Sequence, residues 1–416
     1  MTDLPAGWSS ASLGEVCTIV GGGTPKTGTA EYWGGEIPWI TPADMSADRS
    51  QVLSGGARTL TAAGLAASAA RLVPAGSVVV SSRAPVGYVA IAGAELATNQ
   101  GCKTAVSPDF IDSRYLYWYL LAARPDLEAR ASGTTFKEIS AKEFGRTLLR
   151  WPSLDEQRRI VEILEDHLSR LDAANDYLDA AEGRAWSLVA ASARSHIDAA
   201  SATAASSTVG AHAVLIEYGT STKTSATANG VPVLRMGNIK HGRVLWDGLK
   251  YLPNTHHEFP RLLLEPGDLL FNRTNSAEHV GKCAVFRDGR AASFASYLIR
   301  ARFDDEVLPE WASLVINSPQ GRRYVASVVS QQVGQANVNG SKLRSFPLPV
   351  PPVDEQKTRV RDHGVLSAAV ETTRTGLLEA RRRSEALRHS LLAAAFSGRL
   401  TGRSSDLDLA EEMALA

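Results

Sequence analysis

The chain has 416 residues, with 44 Lys plus Arg against 44 Asp plus Glu, 44% hydrophobic and 21% charged residues. That length exceeds one compact core and predicts two or three domains of ordinary globular composition. The opening residues carry no basic or apolar run, no stretch approaches ~18 unbroken apolar residues, and Cys17, Cys102 and Cys283 have no disulfide or zinc spacing. A secretory leader, a membrane span and a bound structural metal are therefore not expected, and a cytoplasmic setting is.

The zero net charge conceals segments. Residues 1–150 carry 13 basic and 13 acidic groups, residues 151–200 carry 5 and 10, residues 201–352 carry 16 and 11, and residues 353–416 carry 10 and 10. A polyanion meets local charge, so the net +5 of residues 201–352 permits nucleic-acid binding.

In chain order, residues 1–150 form a first mixed domain with short strands at Ile37-Pro38-Trp39-Ile40, Ser77-Val78-Val79-Val80 and Tyr88-Val89-Ala90-Ile91. Residues 114–121 (Arg-Tyr-Leu-Tyr-Trp-Tyr-Leu-Leu) read as a buried helix whose aromatics pack in a core. A long helix is predicted over 151–198, followed by an Ala/Ser-rich linker at 199–208, a second mixed domain at 209–350, a second long helix at 351–398 and a tail at 399–416. Both helices follow proline and begin Asp-Glu-Gln, placing acidic residues where the helix dipole favours them. Apolar residues then recur every three or four positions, at Ile160, Leu164, His167, Leu171, Ala174 and Leu178, and at Leu366, Val370, Thr373, Leu377, Leu387 and Leu391. Seams of this kind need a partner helix, and they predict an antiparallel coiled coil with the heads at its ends.

The second half retraces the first. Leu13-Gly14 has its counterpart in Val209-Gly210, Ile37-Pro38-Trp39-Ile40 in Val231-Pro232-Val233-Leu234, and Asp44 in Asn238. Pro74-Ala75-Gly76-Ser77 matches Glu265-Pro266-Gly267-Asp268, each followed by an apolar strand and then by Arg83 or Arg273; Gly87 pairs with Gly281 and Gly133 with Gly334. The fold class expected is α+β, with two globular heads alternating with two long helices in a pseudo-two-fold repeat.

Several motifs together carry a family likeness. They are Leu4-Pro5-Ala6-Gly7-Trp8, Gly22-Gly23-Thr24-Pro25, residues 31–39 (Glu-Tyr-Trp-Gly-Gly-Glu-Ile-Pro-Trp) and residues 133–139 (Gly-Thr-Thr-Phe-Lys-Glu-Ile). Asn272-Arg273-Thr274-Asn275-Ser276, residues 334–339, the two Asp-Glu-Gln starts and residues 390–398 complete the set. The chain resembles the DNA-specificity subunit of type I restriction–modification enzymes over nearly its whole length. The resemblance implies two target-recognition domains, each reading half of a bipartite, asymmetric site in double-stranded DNA. It also implies helices that set the half-site spacing and dock two methyltransferase subunits, whose S-adenosylmethionine supplies the methyl group for adenine N6. Endonuclease/translocase subunits are a further partner. A second reading is a coiled-coil scaffold of a related defence system whose heads bind protein.

No residues here suggest catalysis or a cofactor in this chain. There is no Asn/Asp-Pro-Pro-aromatic signature and no Gly-x-x-x-x-Gly-Lys-Ser/Thr loop. His256-His257 lacks carboxylate or cysteine neighbours at ligand spacing and reads as a surface loop. Base readout needs polar and cationic side chains on loops. The first head offers Thr24, Lys26, Thr41, Ser82, Arg83, Thr134, Thr135 and Lys137; Asp44 reads as a turn cap. The second offers Lys223, Arg235, Asn238, Asn272, Arg273, Asn275, Gln335 and Asn337. Acidic Glu162, Glu165, Asp166, Asp172, Asp176 and Asp179 form either a partner-facing or a solvated helix face.

Overall fold

The computed structural model describes residues 4–83, 85–133, 137–227, 229–240, 242–276, 279–332 and 335–401. The chain folds as two compact units, one comprising Met1–Leu178 with Leu378–Ala416 and the other Asp179–Leu377. Each holds one head and a stretch of both long helices.

The first long helix runs Leu154–Thr203 and the second Val353–Phe396, the latter unbroken through Gly364 and Gly376. The segment expected to be a linker, 199–208, stays helical through Thr203 before forming strand Ser206–Thr208. Its alanines explain the extension, because alanine costs least in a helix.

In the first unit, strand Ser9–Ser12 pairs antiparallel with Leu148–Trp151, so the head closes where the first long helix begins. A five-stranded sheet, in the order Thr18–Gly21, Cys102–Val106, Val78–Ser82, Val86–Ala92, Val52–Leu53, forms its centre. One face packs on helix Ser113–Ala122 through Val78, Val80, Leu116 and Leu120. That helix is buried as its sequence predicts, and its polar tips are bonded: Tyr115 Oη donates to Arg150 O (2.7 Å) and Tyr119 Oη to Leu148 O (2.9 Å). A second sheet pairs Trp33–Ile40 with Arg58–Leu60 and, in parallel, with Leu96–Thr98.

Here the two long helices meet antiparallel. Ile160, Leu164 and Leu168 are buried with Leu391, Leu392, Ala395 and Phe396, and Leu171 and Leu387 pack against them. Farther along, Asn175 Nδ2 donates to Ser384 Oγ at 3.1 Å and Arg388 pairs with Asp172. The Phe396 ring meets Tyr119 edge-on at 4.9 Å. The helix ends in paired bonds, Arg399 N to Ala394 O and Gly398 N to Ala395 O, with Gly398 at φ +73°. This is the Schellman closure that glycine permits. A Cβ at Gly398 would stand 2.5 Å from Pro5 and 3.3 Å from Trp8, so the first and last motifs of the sequence form one contact.

The second unit repeats the plan. Ser206–Thr208 pairs with Pro347–Pro349, and the main sheet runs Ala213–Tyr218, Leu298–Phe303, Leu269–Asn272, Cys283–Val285. Leu269 and Phe271 pack on helix Pro309–Asn317 through Trp311 and Val315. Val231–Leu234 pairs in parallel with Ser293–Phe294, as Trp33–Ile40 does with Leu96–Thr98. The helix stretches again run antiparallel: Arg374 Nε lies 3.6 Å from Glu182, and His363 Nδ1 lies 3.3 Å from Ser192 Oγ.

The predicted seam is tight only in part. Val370 is buried, whereas Leu178, Leu366 and Leu377 are half-buried, and no residue of the first helix between Leu168 and Ala193 is fully buried. At two predicted seam positions, Ala174 and Thr373, the side chains are exposed, and Asn175 and Arg374 turn inward instead. The physical reason is period: a straight helix drifts from a strict seven-residue repeat and carries the adjacent residue into the groove.

Candidate nucleic-acid interface

In each unit the candidates follow strand ends: Thr18–Gly21, Trp33–Ile40 and Val78–Ser82 in the first, Val231–Leu234 and Leu269–Asn272 in the second. In the first, Gly22 and Gly23 allow the backbone to run against the 98–99 turn; an added Cβ would stand 1.9 Å from Asn99 O and 2.1 Å from Ala70 N. Gly23 O accepts the Trp39 Nε1 proton at 3.1 Å, and Gly23 N donates to Thr98 O. Thr24 follows with its Oγ1 buried and without a hydrogen-bond partner. Lys26 is exposed.

Thr41 and Asp44 cap the short helix Pro42–Ala47 in a reciprocal box, and Asp44 Oδ1 also accepts from Ala57 N (2.9 Å). Asp44 is thus a turn former, as expected, and Thr41 shares that work.

Ser82 is buried, and Lys103, which sequence inspection passed over, donates to its Oγ at 3.2 Å. Lys103 Nζ also lies 3.5 Å from Glu138, and Arg83 lies 3.8 Å from the same carboxylate. Arg83 and Glu138 are each more than a third exposed, so two cations share one anion at the surface. The Arg83 Nε also abuts Gly101. Lys137 is exposed; Thr134 and Thr135 lie outside the described residues.

In the second unit, Arg235 N donates to Asn238 Oδ1 (2.9 Å), repeating the Thr41–Asp44 turn. Asn238 is buried and spends both amide protons on Leu245 O and Asp247 O. Its side chain therefore holds the loop, and the Arg235 guanidinium reaches Gly248 O. Lys223 is exposed on the preceding loop.

A separate three-stranded sheet, Thr274–Asn275, Gln335–Asn337, Ser330–Gln332, brings the other candidates together. Asn337 Nδ2 donates to Thr274 Oγ1 (3.0 Å), and the Arg273 guanidinium lies 4.8 Å over the Tyr218 ring. Among the described residues, the buried Arg273 Nε and the Oδ1 of fully buried Asn272 have no hydrogen-bond partner. The side chains of Asn275 and Gln335 lie outside the described residues.

The repeat register corrects one expected equivalence. Ser82 N donates to Gly101 O and Ser82 O accepts from Ile139 N; Arg273 N likewise donates to Tyr297 O and Arg273 O accepts from Val338 N. Arg273 therefore stands where Ser82 stands, and Arg83 corresponds to Thr274. Successive strand residues face opposite ways, so the two arginines occupy different faces of equivalent edges.

Of the helix acids read as either a partner-facing or a solvated face, one is engaged within its own unit. Glu165 is no outward acid: it accepts from Arg114, from Trp118 Nε1 (3.1 Å) and from Gln51 Nε2 (3.2 Å). Burial raises its pKa, but these bonds outweigh burial and hold it below the ordinary carboxylate value. A carboxylate does adjoin the histidine pair, since Glu258 lies 3.8 Å from His256 Nδ1, and Glu258 also takes the Thr220 hydroxyl at 2.5 Å. Arg300, fully buried among Glu217, Asp268 and the carbonyls of Leu263 and Arg261, holds the second sheet together and does not face solvent. Burial pushes the Cys17 thiol up to about 11 and those of Cys102 and Cys283 up to about 12, so all three are inert core residues. Among the described residues no helix is long and apolar enough to cross a membrane.

Residues 5–179 match the family described as "Type I restriction modification DNA specificity domain". Among curated proteins, the chain is 33% identical over 181 residues to the type I restriction enzyme MjaIX specificity subunit of Methanocaldococcus jannaschii, covering 42% of each. It is 32% identical over 191 residues to the EcoKI specificity subunit of Escherichia coli strain K12, covering 45% of this chain and 41% of that one. The matches thus span about two fifths of those relatives' length; a third, to the StySPI specificity subunit of Salmonella potsdam, is 25% identical over 72% of this chain and 68% of that one. In fold, the chain is similar to a chain from a type I R-M system solved for its complex assembly and conformational transition (TM-score 0.74, 18% identity, 96% of this chain and 100% of that one). It is also similar to the HsdS subunit from Thermoanaerobacter tengcongensis (TM-score 0.52, 18% identity, 96% and 98%). By these comparisons residues 5–179 match the family's DNA specificity domain, and the chain is similar to type I restriction enzyme specificity subunits.

Proposed function

We propose that this chain is the non-catalytic DNA-specificity subunit of a type I restriction–modification complex, acting in the cytoplasm. Each head reads one half of a bipartite, asymmetric site in double-stranded DNA, and the long helices set the half-site spacing. The helices also dock two methyltransferase subunits, which bring S-adenosylmethionine and methylate adenine N6; endonuclease/translocase subunits join the same assembly.

One observation carries this reading: the two heads share a backbone plan and differ in what their loops present. Where the first offers Lys26 and the Arg83–Glu138–Lys103 cluster, the second offers Lys223, Arg273 over Tyr218, and Asn337 beside Thr274. Like skeletons with unlike donors suit two different half-sites, because bases are told apart by donor and acceptor pattern.

The test is methylome sequencing of cells carrying the partner methyltransferase with and without this chain. A split methylated site that depends on the chain is expected, and exchanging residues 1–150 for those of another family member should change one half only. No chain-dependent methylation, or loss of both halves on exchange, would overturn the reading.

A further inference from the structure

Outside these loops, three side chains from separate stretches of the second unit converge. His212 ends the short helix Val209–His212, and Asp304 and Glu306 lie in the turn after strand Leu298–Phe303. His212 Nδ1 is 3.2 Å from Asp304 Oδ2 and 3.4 Å from Glu306 Oε2, and the three atoms lie within 4.8 Å of one another. Bonds of about 2.1 Å to one divalent ion, opening at about 95–110°, separate neighbouring ligand atoms by about 3.1–3.4 Å. The two histidine–carboxylate spacings match edges of such a polyhedron.

The surroundings hold this arrangement. Asp304 N donates to His212 O (2.9 Å), Glu306 N donates to Asp304 Oδ1 (3.1 Å), and Gln356 Nε2 donates to Glu306 O (2.8 Å). Oδ2 of Asp304 faces the histidine ring, 3.2 Å from Nδ1. On the far side of the ring, Nε2 lies 3.0 Å from Ser207 Oγ. In the tautomer whose Nε2 proton goes to Ser207, the Nδ1 lone pair faces both carboxylate oxygens, and a bound cation takes the place of the Nδ1–H···Oδ2 bond that the other tautomer makes to Asp304. The histidine side chain is 13% exposed and Glu306 is 75% exposed, so an ion has an entry path and water can complete its coordination.

We propose that His212, Asp304 and Glu306 bind one divalent transition-metal ion, a nitrogen–oxygen donor set suited to zinc or manganese. The ion would pin the turn that receives Gln356 to the segment where the chain leaves the first long helix. The first unit lacks the site: its repeat equivalent of His212, three residues after Leu13, is Val16.

The probe is zinc chloride titrated into the untagged, chelator-stripped full chain, with bound metal counted by mass spectrometry and affinity read by calorimetry. One zinc per chain is expected, lost in His212→Ala and bound at least tenfold more weakly in Glu306→Gln, whose exposed position spares folding. His257→Ala should leave it unchanged. The assignment is overturned if no stoichiometric zinc binds, as it would be if the ring were simply an imidazolium between two carboxylates. It is equally overturned if binding survives His212→Ala and disappears in His257→Ala, which would place the ion at His256, His257 and Glu258.

Discussion

Gln157 and Gln356 make the same three hydrogen bonds, each from a fully buried side chain three residues into its long helix. Gln157 Oε1 accepts from Asp112 N (2.9 Å), and its Nε2 donates to Phe110 O (2.9 Å) and Pro152 O (3.0 Å). Gln356 Oε1 accepts from Leu308 N (2.9 Å), and its Nε2 donates to Glu306 O and Pro351 O, both at 2.8 Å. Each amide ties a helix start to the loop that leads into its head's buried helix. Truncation strands three buried backbone groups, so Gln157→Ala or Gln356→Ala should cost about 2–4 kcal/mol. Urea unfolding checks this; a loss below about 1 kcal/mol in both variants would mean that water replaces the amide.

The loop that presents Thr24 depends on close approach. Gly22→Ala puts a methyl group into Asn99 O, and Gly23→Ala puts one into Ala70 N, both backbone atoms that cannot swing aside. Each substitution should shift the loop or destabilise the first unit by about 1–3 kcal/mol. Methylation at one half-site should fall while the other half is still recognised, as site sequencing would show.

Arg83 and Arg273 should behave differently, because they occupy non-equivalent positions. Arg83 already shares Glu138 with Lys103, so Arg83→Ala should weaken DNA retention evenly across sequences and lower the salt slope by about 1. Arg273, half-buried with its Nε out of solvent and its guanidinium over the Tyr218 ring, is held in one orientation, and Arg273→Ala should relax one base position at a cost of about 1–3 kcal/mol. Equal effects on retention, slope and specificity would show that the register difference has no consequence for binding.

His363 supplies a pH dependence. Burial holds its pKa below the ordinary 6.5, and His196 adds repulsion. The unfolded chain thus binds the proton more readily, so stability rises with pH across this window. The stability is fully present above 6.5 and is lost as pH falls through the lowered folded value. Thermal unfolding between pH 7.5 and 5 should show the fall, and His363→Gln should flatten it.

Gly364 stands eight residues after Gln356, as Glu165 stands eight after Gln157. Glu165 fills its junction with three hydrogen bonds, whereas Gly364 borders a cavity of about 520 Å³ with Trp186, Leu314 and Val360. A Cβ at Gly364 or Gly376 would meet nothing within 4 Å. Alanine at either should raise stability by about 1 kcal/mol, through helix propensity and a less flexible unfolded chain. Calorimetric Tm values check the sign.

The duplication, the alternation of heads with long helices and the helix starts were all readable from residue order. They rest on local rules: apolar period, proline before a helix, acids in its first turn. The paired Asp-Glu-Gln motifs even marked Gln157 and Gln356, though not what they bond. The matching of Arg83 with Arg273 failed by one residue, because both arginines follow apolar strands and only hydrogen-bond register distinguishes them. Lys103 and Glu138 were passed over, and Glu165 was read only as a helix-face acid, for a related reason: the partners lie 21, 35 and 51 residues away in the pairs Ser82–Lys103, Lys103–Glu138 and Arg114–Glu165. Likewise, Pro5 and Gly398 each suggest a turn alone, and only folding sets one against the other. Backbone periodicity is written along the chain, but which charges neutralise one another depends on distances that exist only after the sheets and helices have packed.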